Sequence, residues 1–306
     1  MAVWISRLPM FRKNGFYQSG LRRYIICNSK FGYCPMTKLS LVRFSVALSV
    51  LLSAILAASP GDAANLVAHR AVYSMKLGAV RSGAGLEAAR GLMTISLEKS
   101  CAGWIVSQQM NMALQTSEGK ELNQDYRFAG WESFDGKNYR FAVQSKMAGN
   151  NENYKGKARL SGDGKSGRAS YTVPEKKDLK LPGNTLFPIN HMVLLIDRAQ
   201  AGDNQVTRPI FEGTEGKGHQ TVSAFIGSRI GPKKHGWHEK GPLMDRSGWK
   251  MRMGYYNADS KSSTPEFEIE LLQLDNGVVP HLTQVFPTFN LVIDLKKIEK
   301  LPAPSC

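Results

Sequence analysis

The sequence predicts a mainly β protein, a long antiparallel meander curling into a curved sheet with one amphipathic helix. Three observations predict it. Apolar and polar residues alternate with period two over most of the chain, the pattern of strands with one buried face. Turn dipeptides separate these runs: Asp135-Gly136, Asp163-Gly164, Glu215-Gly216 and Asn276-Gly277. A single segment breaks to helical periodicity.

Taken in order, Trp104, Val106, Gln108, Met110, Met112 and Leu114 face one way, with Ser107, Gln109, Asn111 and Gln115 opposite. Tyr139, Phe141, Val143 and Met147 oppose Arg140, Gln144 and Lys146. Pro174 to Gly183, charged and bracketed by prolines, reads as a loop. The helix begins at Pro188, an apt first helical residue, places Ile189, Met192, Val193 and Ile196 on one face, and stops at Gly202. Gly231 to Ser247 reads as a second loop, basic and aromatic. Phe267, Ile269 and Leu271, then Phe289, Leu291, Ile293 and Leu295, continue the alternation. The total is about twelve strands. Several reach ten residues, and strands of that length twist and curl a sheet until it is open or nearly closed. A helix inserted in such a meander is expected to pack on the concave face.

Residues 36–64 have the order of a secretory signal: a basic start at Met36, a 15-residue apolar run from Phe44 to Ala58, and small residues to Ala64. As a membrane anchor the run falls short of the roughly 20 residues needed to cross a bilayer. Residues 1–35 are read as upstream sequence with translation starting at Met36, or else as a long n-region. Residues 65–306 then form one exported domain, expected to be soluble in the periplasm.

Removing the leader also removes Cys27 and Cys34, and leaves Cys101 and Cys306. An even pair in an oxidising compartment suggests a disulfide, two free thiols being the alternative. The whole chain carries a net charge of +15; the leader holds eight Lys or Arg and one Asp, so the exported part keeps +8. That excess suits contact with anionic head groups or acidic polymers and is too diffuse to argue for nucleic acid.

Candidate chemistry fails on spacing. Gly162-Asp163-Gly164-Lys165-Ser166 lacks the earlier glycine of a phosphate loop, Arg159 standing in its place, and joins two strands. His235 and His238 are three apart with no third ligand at helical spacing. His69, His191, His219 and His281 are scattered, and His191 reads as a helix-surface or rim residue. No nucleophile elbow is present. Neither a metal nor a cofactor is expected. Between Arg229 and Arg252, Trp237 and Trp249 stand among Lys233, Lys234 and other cations, a composition that suits a lipid interface or a sugar-phosphate surface, and an ordinary hairpin as well.

Residues 66–77 (Leu-Val-Ala-His-Arg-Ala-Val-Tyr-Ser-Met-Lys-Leu), Arg90-Gly91-Leu92-Met93, Phe134-Asp135-Gly136-Lys137 with Tyr139-Arg140-Phe141, Leu179-Lys180-Leu181-Pro182-Gly183 through Leu186-Phe187-Pro188 and His191 to Ala201-Gly202, Ile210-Phe211-Glu212-Gly213 and the terminal Pro302 to Cys306 resemble, in order, the cell envelope integrity protein EipB family. The resemblance spans nearly all of the exported part; the first 35 residues have no counterpart. It implies a spiral-like broken barrel related to lipoprotein carriers and a periplasmic stress sensor, a Cys101–Cys306 disulfide, a role in the Gram-negative envelope, and no catalysis.

The expected function is therefore a non-enzymatic periplasmic protein, by default monomeric, that maintains envelope integrity by holding a lipid, a lipoprotein segment or a protein partner on its concave face. Trp237, Trp249, Lys233, Lys234 and His191 are the candidate surface. The alternatives are an envelope hydrolase or lipid-modifying enzyme using His191 or the His235/His238 pair, and a structural protein without a ligand.

Overall fold

The computed structural model describes residues 65–258 and 261–306; the leader expected at 36–64 lies outside them. In the first half run β1 (His69–Val80), β2 (Leu86–Lys99), β3 (Gly103–Thr116), β4 (Glu121–Ser133), β5 (Asn138–Met147), β6 (Asn150–Leu160), β7 (Ser166–Val173) and β8 (Lys177–Pro182). Helix α1 (Pro188–Gln200) follows, then β9 (Gln205–Ile210), β10 (Gln220–Ile230), a one-turn helix α2 (Pro232–His235), β11 (Gly248–Asn257), β12 (Phe267–Leu274), β13 (His281–Val285) and β14 (Phe289–Lys300).

All fourteen described strands form one sheet, in the order β8-β7-β6-β5-β4-β3-β2-β1-β14-β13-β12-β11-β10-β9, and every neighbouring pair is antiparallel. The first and last strands pair at its centre, from His69 against Lys300 to Val80 against Phe289. Two meanders thus curl away from β1 and β14, and their outer strands β8 and β9 meet at a seam. There one parallel bridge joins Leu186 to Ile210: the Leu186 N–H donates to Pro209 O at 2.9 Å, and the Phe211 N–H to Leu186 O at 3.0 Å. The result is a barrel closed except for this seam.

The strand count exceeds the expected twelve, and one reason is clear. Lys177–Pro182, expected as loop, is the edge strand β8: Leu179 and Leu181 pair with Ala169 and Gly167 of β7 while Asp178 and Lys180 face out. At six residues it is too short for a periodicity signal, and its charge and terminal proline suit an edge. The expected alternation holds in β3, β5 and β14, whose apolar rows point inward and are buried, apart from Trp104 at the start of β3, which is half-buried. The segment after β10 is compact, holding α2 and two 3-10 turns, His238–Lys240 and Pro242–Met244.

Helix α1 forms where the proline and periodicity place it. Gly202 at φ 86° ends it, and Arg198 lies in its last turn. It runs inside the curve, burying Ile189, Met192, Leu195, Ile196 and Ala199; Val193, expected on the apolar face, is half-buried.

Cys101, in the β2–β3 turn, is disulfide-bonded to Cys306. The tail leaves β14 with the Leu301 N–H on Ala68 O at 2.9 Å and reaches the far end of β2, so the bond straps β1 and β2 against β14.

Candidate functional site

The N-terminus of α1 has no cap of its own. Phe187 occupies the N-cap position and carries no side-chain oxygen, so the first amides of the helix need an acceptor from elsewhere. Glu132, at the inward end of β4, supplies it: Ile189 N–H donates to Oε2 at 2.8 Å, and Asn190 donates to Oε1 through its backbone N–H at 2.9 Å and its side-chain amide at 2.6 Å. Burial pushes the Glu132 carboxyl up to about 7, against the pull of these hydrogen bonds. The Asp135-Gly136 turn packs over Asn190, and a Cβ at Gly136, which sits at φ 65°, would stand 2.8 Å from the Asn190 carboxamide. The turn residues of the sequence are therefore also helix-anchoring residues.

Next to this anchor lies an aromatic cluster that holds the seam. Tyr139 stacks on Phe187 with centroids 4.9 Å apart, and Phe211 packs edge-on against Phe141 at 5.7 Å and Tyr171 at 6.3 Å. The Tyr139 hydroxyl donates to Glu212 O at 2.8 Å. Gly213, at φ 74°, lets the chain pass close to the Phe141 ring, which a Cβ would meet at 2.5 Å. Burial raises the Tyr139 phenol well above its usual range.

The interior also holds polar atoms that a close-packed core would ordinarily pair. Among the described residues, His191 Nε2, His69 Nε2, Gln108 Oε1 and the Tyr255 hydroxyl are buried without a hydrogen-bond partner. Burial lowers both imidazoles, His191 to about 3, so both are neutral.

At the other end of α1 a recess of about 590 Å³ opens between Ala199–Asn204 and the Ile226–Arg229 stretch of β10, with Trp249 in its wall. Here β10 outruns its neighbour. Its pairing with β9 ends at Phe225 against Gln205, and the Ile226 N–H turns to Asn204 O at 2.8 Å. From Gly227 to Ile230 that edge of β10 has no strand beside it among the described residues. Ile226, Trp249 and Ala199 give the recess an apolar wall, and Arg229 a cation.

The candidate residues named from the sequence do not form one surface. Lys233 and Lys234 are exposed on α2, and Trp237 is half-buried in the turn that follows. Trp249 is buried inside the barrel, because it follows the inward alternation of Met251 and Met253. His191, expected at a rim, is fully buried, because the barrel wraps more of α1 than one face. The concave face expected to receive a ligand is itself covered by α1. His235 holds its own loop: its Nδ1 accepts from the Trp237 N–H at 3.1 Å, and its Nε2 lies 2.9 Å from Arg246 O. His238 lies 4.0 Å from Glu239. No group of three His, Cys, Asp or Glu suited to a metal occurs among the described residues.

Sequence reasoning missed Glu132. The signal was present: Tyr126, Phe128, Gly130 and Glu132 alternate on one side of β4, so a carboxylate stands in an inward row. The open edge of β10 carries no sequence signal, since it depends on where β9 stops.

A family model described as EipB-like matches residues 60–302. The chain belongs to the EipB-like family. It is 25% identical over 249 residues to the cell envelope integrity protein EipB of Brucella abortus (strain 2308), covering 79% of this chain and 87% of that protein. Its fold is similar to a crystal structure described as a beta-barrel-like protein of a domain of unknown function, DUF1849, from Brucella abortus: the TM-score is 0.72 at 21% identity, with 78% of this chain and 100% of that chain covered. For this EipB-like chain the expected family and the broken-barrel architecture are both found.

Proposed function

We propose that this EipB-like protein is a non-enzymatic periplasmic component of the cell envelope that maintains envelope integrity by holding an extended segment of a partner protein, such as a lipoprotein, at the mouth of its barrel. The observation that carries the reading is the open edge of β10 from Gly227 to Ile230 beside Trp249, Ile226 and Ala199. An edge with free backbone groups accepts an added strand through main-chain hydrogen bonds, and an adjoining apolar wall takes alternate side chains of that strand. The envelope role is supported by the relative named for cell envelope integrity. No helix among the described residues is long and apolar enough to cross a membrane. An enzymatic reading through His191 or the His235/His238 pair draws little support, since one imidazole is sealed in the core and His235 is engaged in holding its loop.

The test uses Ser228→Pro, which removes the backbone N–H of an exposed residue in the open stretch of β10 without touching the core. In a strain lacking the gene, the wild-type copy is expected to restore resistance to detergent, and the variant to fail while accumulating and melting normally. A photo-reactive residue at position 229 should cross-link a discrete envelope protein in the wild type and lose it in the variant. Full resistance with Ser228→Pro, or no sensitivity on loss of the gene, defeats the reading.

A further inference from the structure

The outward face of β4–β8, opposite the aromatic cluster, bears a groove of about 1240 Å³ whose wall includes Trp131, Arg140, Lys157, Arg159, Arg168 and Lys180. The register sets these cations side by side. Arg140 pairs across strands with Lys157, Arg159 with Arg168, and Arg168 with Lys180, so neighbouring strands about 4.8 Å apart present like charges directly opposite one another. That arrangement costs stability, and it is scarcely relieved. Arg168 reaches Asp178 at 3.2 Å, but Arg140, Lys157, Arg159 and Lys180 have no ion pair among the described residues. Arg140 lies instead over the Trp131 ring, 5.3 Å from its centroid. Elsewhere the same sheet compensates its outward cations across strands: Arg252 meets Glu268 at 2.6 Å and Glu270 at 3.2 Å, and Arg70 meets Glu299 at 3.4 Å. A ladder of like charges inside a concavity, opposed only by Asp178 at Arg168 and by Asp135 in the groove wall, is an anion site.

The lining also restricts the anion. Its exposed groups are mainly charged and hydroxylated, with Ser161, Ser166 and Ser170 among the arginines and lysines; of its apolar members Tyr139, Ala158 and Leu181 are buried in the sheet and Trp131 lies under Arg140, which leaves mainly Leu160 for an acyl chain or the hydrophobic anchor that gives a peptide its affinity. A groove of this volume exceeds the needs of one phosphate ion. Paired guanidinium forks suit phosphate oxygens, and the hydroxyls suit a sugar. We propose that this groove binds a phosphorylated saccharide, the hydrophilic head of an anionic glycolipid, independently of the segment held at the barrel mouth.

The test is calorimetric titration of the purified, disulfide-bonded protein with a glucosamine disaccharide bearing two phosphates. The unphosphorylated disaccharide, inorganic phosphate and a hexaglutamate peptide are titrated in parallel. The bisphosphate is expected to bind, to weaken as salt rises, and to weaken at least tenfold in the double variant Arg140→Gln, Arg159→Gln, whose melting temperature should not fall. Arg140→Lys with Arg159→Lys keeps the charge and removes the forks, and should lose part of the affinity. Equal or tighter binding of hexaglutamate, equal binding of inorganic phosphate or of the unphosphorylated sugar, or binding indifferent to the glutamine substitutions overturns the proposal.

Discussion

The barrel is joined in two places, and the two joints are built differently. At β1 and β14 the first and last described strands meet along an antiparallel ladder from His69–Lys300 to Val80–Phe289, interrupted by two register shifts, and the Cys101–Cys306 disulfide straps the tail across the neighbouring strands. At the seam, β8 and β9 share no ladder: one parallel bridge at Leu186 and Ile210, the rings of Phe187 and Phe211, and the anchored end of α1 hold it. A ladder shares its load over many hydrogen bonds, whereas the seam concentrates it in a few rings. The seam is therefore where this barrel should open first, and hydrogen exchange in β8 and β9 should be faster than in β1 and β14.

Phe211→Ala should produce the largest effect, because the ring touches four others at the seam and is fully buried. A loss of about 3–5 kcal/mol is expected from the vacated volume. Denaturant unfolding measures the loss, and exchange should accelerate in β8, β9 and α1 while β1 and β14 stay protected. Uniform acceleration across the sheet would mean that both joints fail together and the contrast is false.

Cys306→Ser tests the other joint. The bond spans 205 residues of sequence, and in the chain-entropy model its loss costs about 5 kcal/mol at most, with about 2–4 typical. The melting temperature should fall and the tail become open to proteases, with the seam amides unchanged relative to global unfolding. An unchanged melting temperature would show that the ladder alone secures β1 to β14.

The anchor of α1 gives the molecule a pH signature. Glu132 is raised from an ordinary 4.5 to about 7, so the native state holds a proton there that the unfolded chain releases; its stabilising contribution is full below about 4.5 and is lost as pH rises through 7. His191 is lowered from 6.5 to about 3, so its contribution is full above 6.5 and is lost as pH falls toward 3. Between 4.5 and 6.5 the two slopes oppose. Glu132→Gln, permanently neutral, should leave the histidine slope exposed, so that the variant loses stability on acidification more steeply than the wild type. The wild type should lose about 3 kcal/mol relative to the variant between pH 4.5 and 8, read from denaturant midpoints. Parallel pH curves would show that Glu132 stays ionised throughout.

How far these joints were legible in the sequence follows from the range of the interactions. The inward rows of β3, β5 and β14 and the start of α1 are local patterns and were read directly. The edge strand β8 was hidden by its length and charge, and the burial of His191 and Trp249 depended on how far the barrel closes around the helix. Glu132 betrayed itself only as a charge in an inward row. The basic groove was hardly more legible than the open edge of β10: Arg140, Lys157, Arg159, Arg168 and Lys180 sit on four strands, and only register brings them opposite one another.

The smallest expected effect separates the two forces at the seam. Tyr139→Phe removes the hydroxyl that donates to Glu212 O at 2.8 Å and keeps the ring stacked 4.9 Å from Phe187. If ring packing carries the seam, the substitution should cost about 1 kcal/mol, the net worth of one hydrogen bond, and leave exchange in β8 and β9 nearly as in the wild type. A loss approaching that of Phe211→Ala would place the strength of the seam in the polar contact to the Phe211-Glu212-Gly213 segment. The aromatic cluster would then be filler around a hydrogen-bonded latch, and the seam would resemble the β1–β14 joint in kind, differing only in the number of bonds.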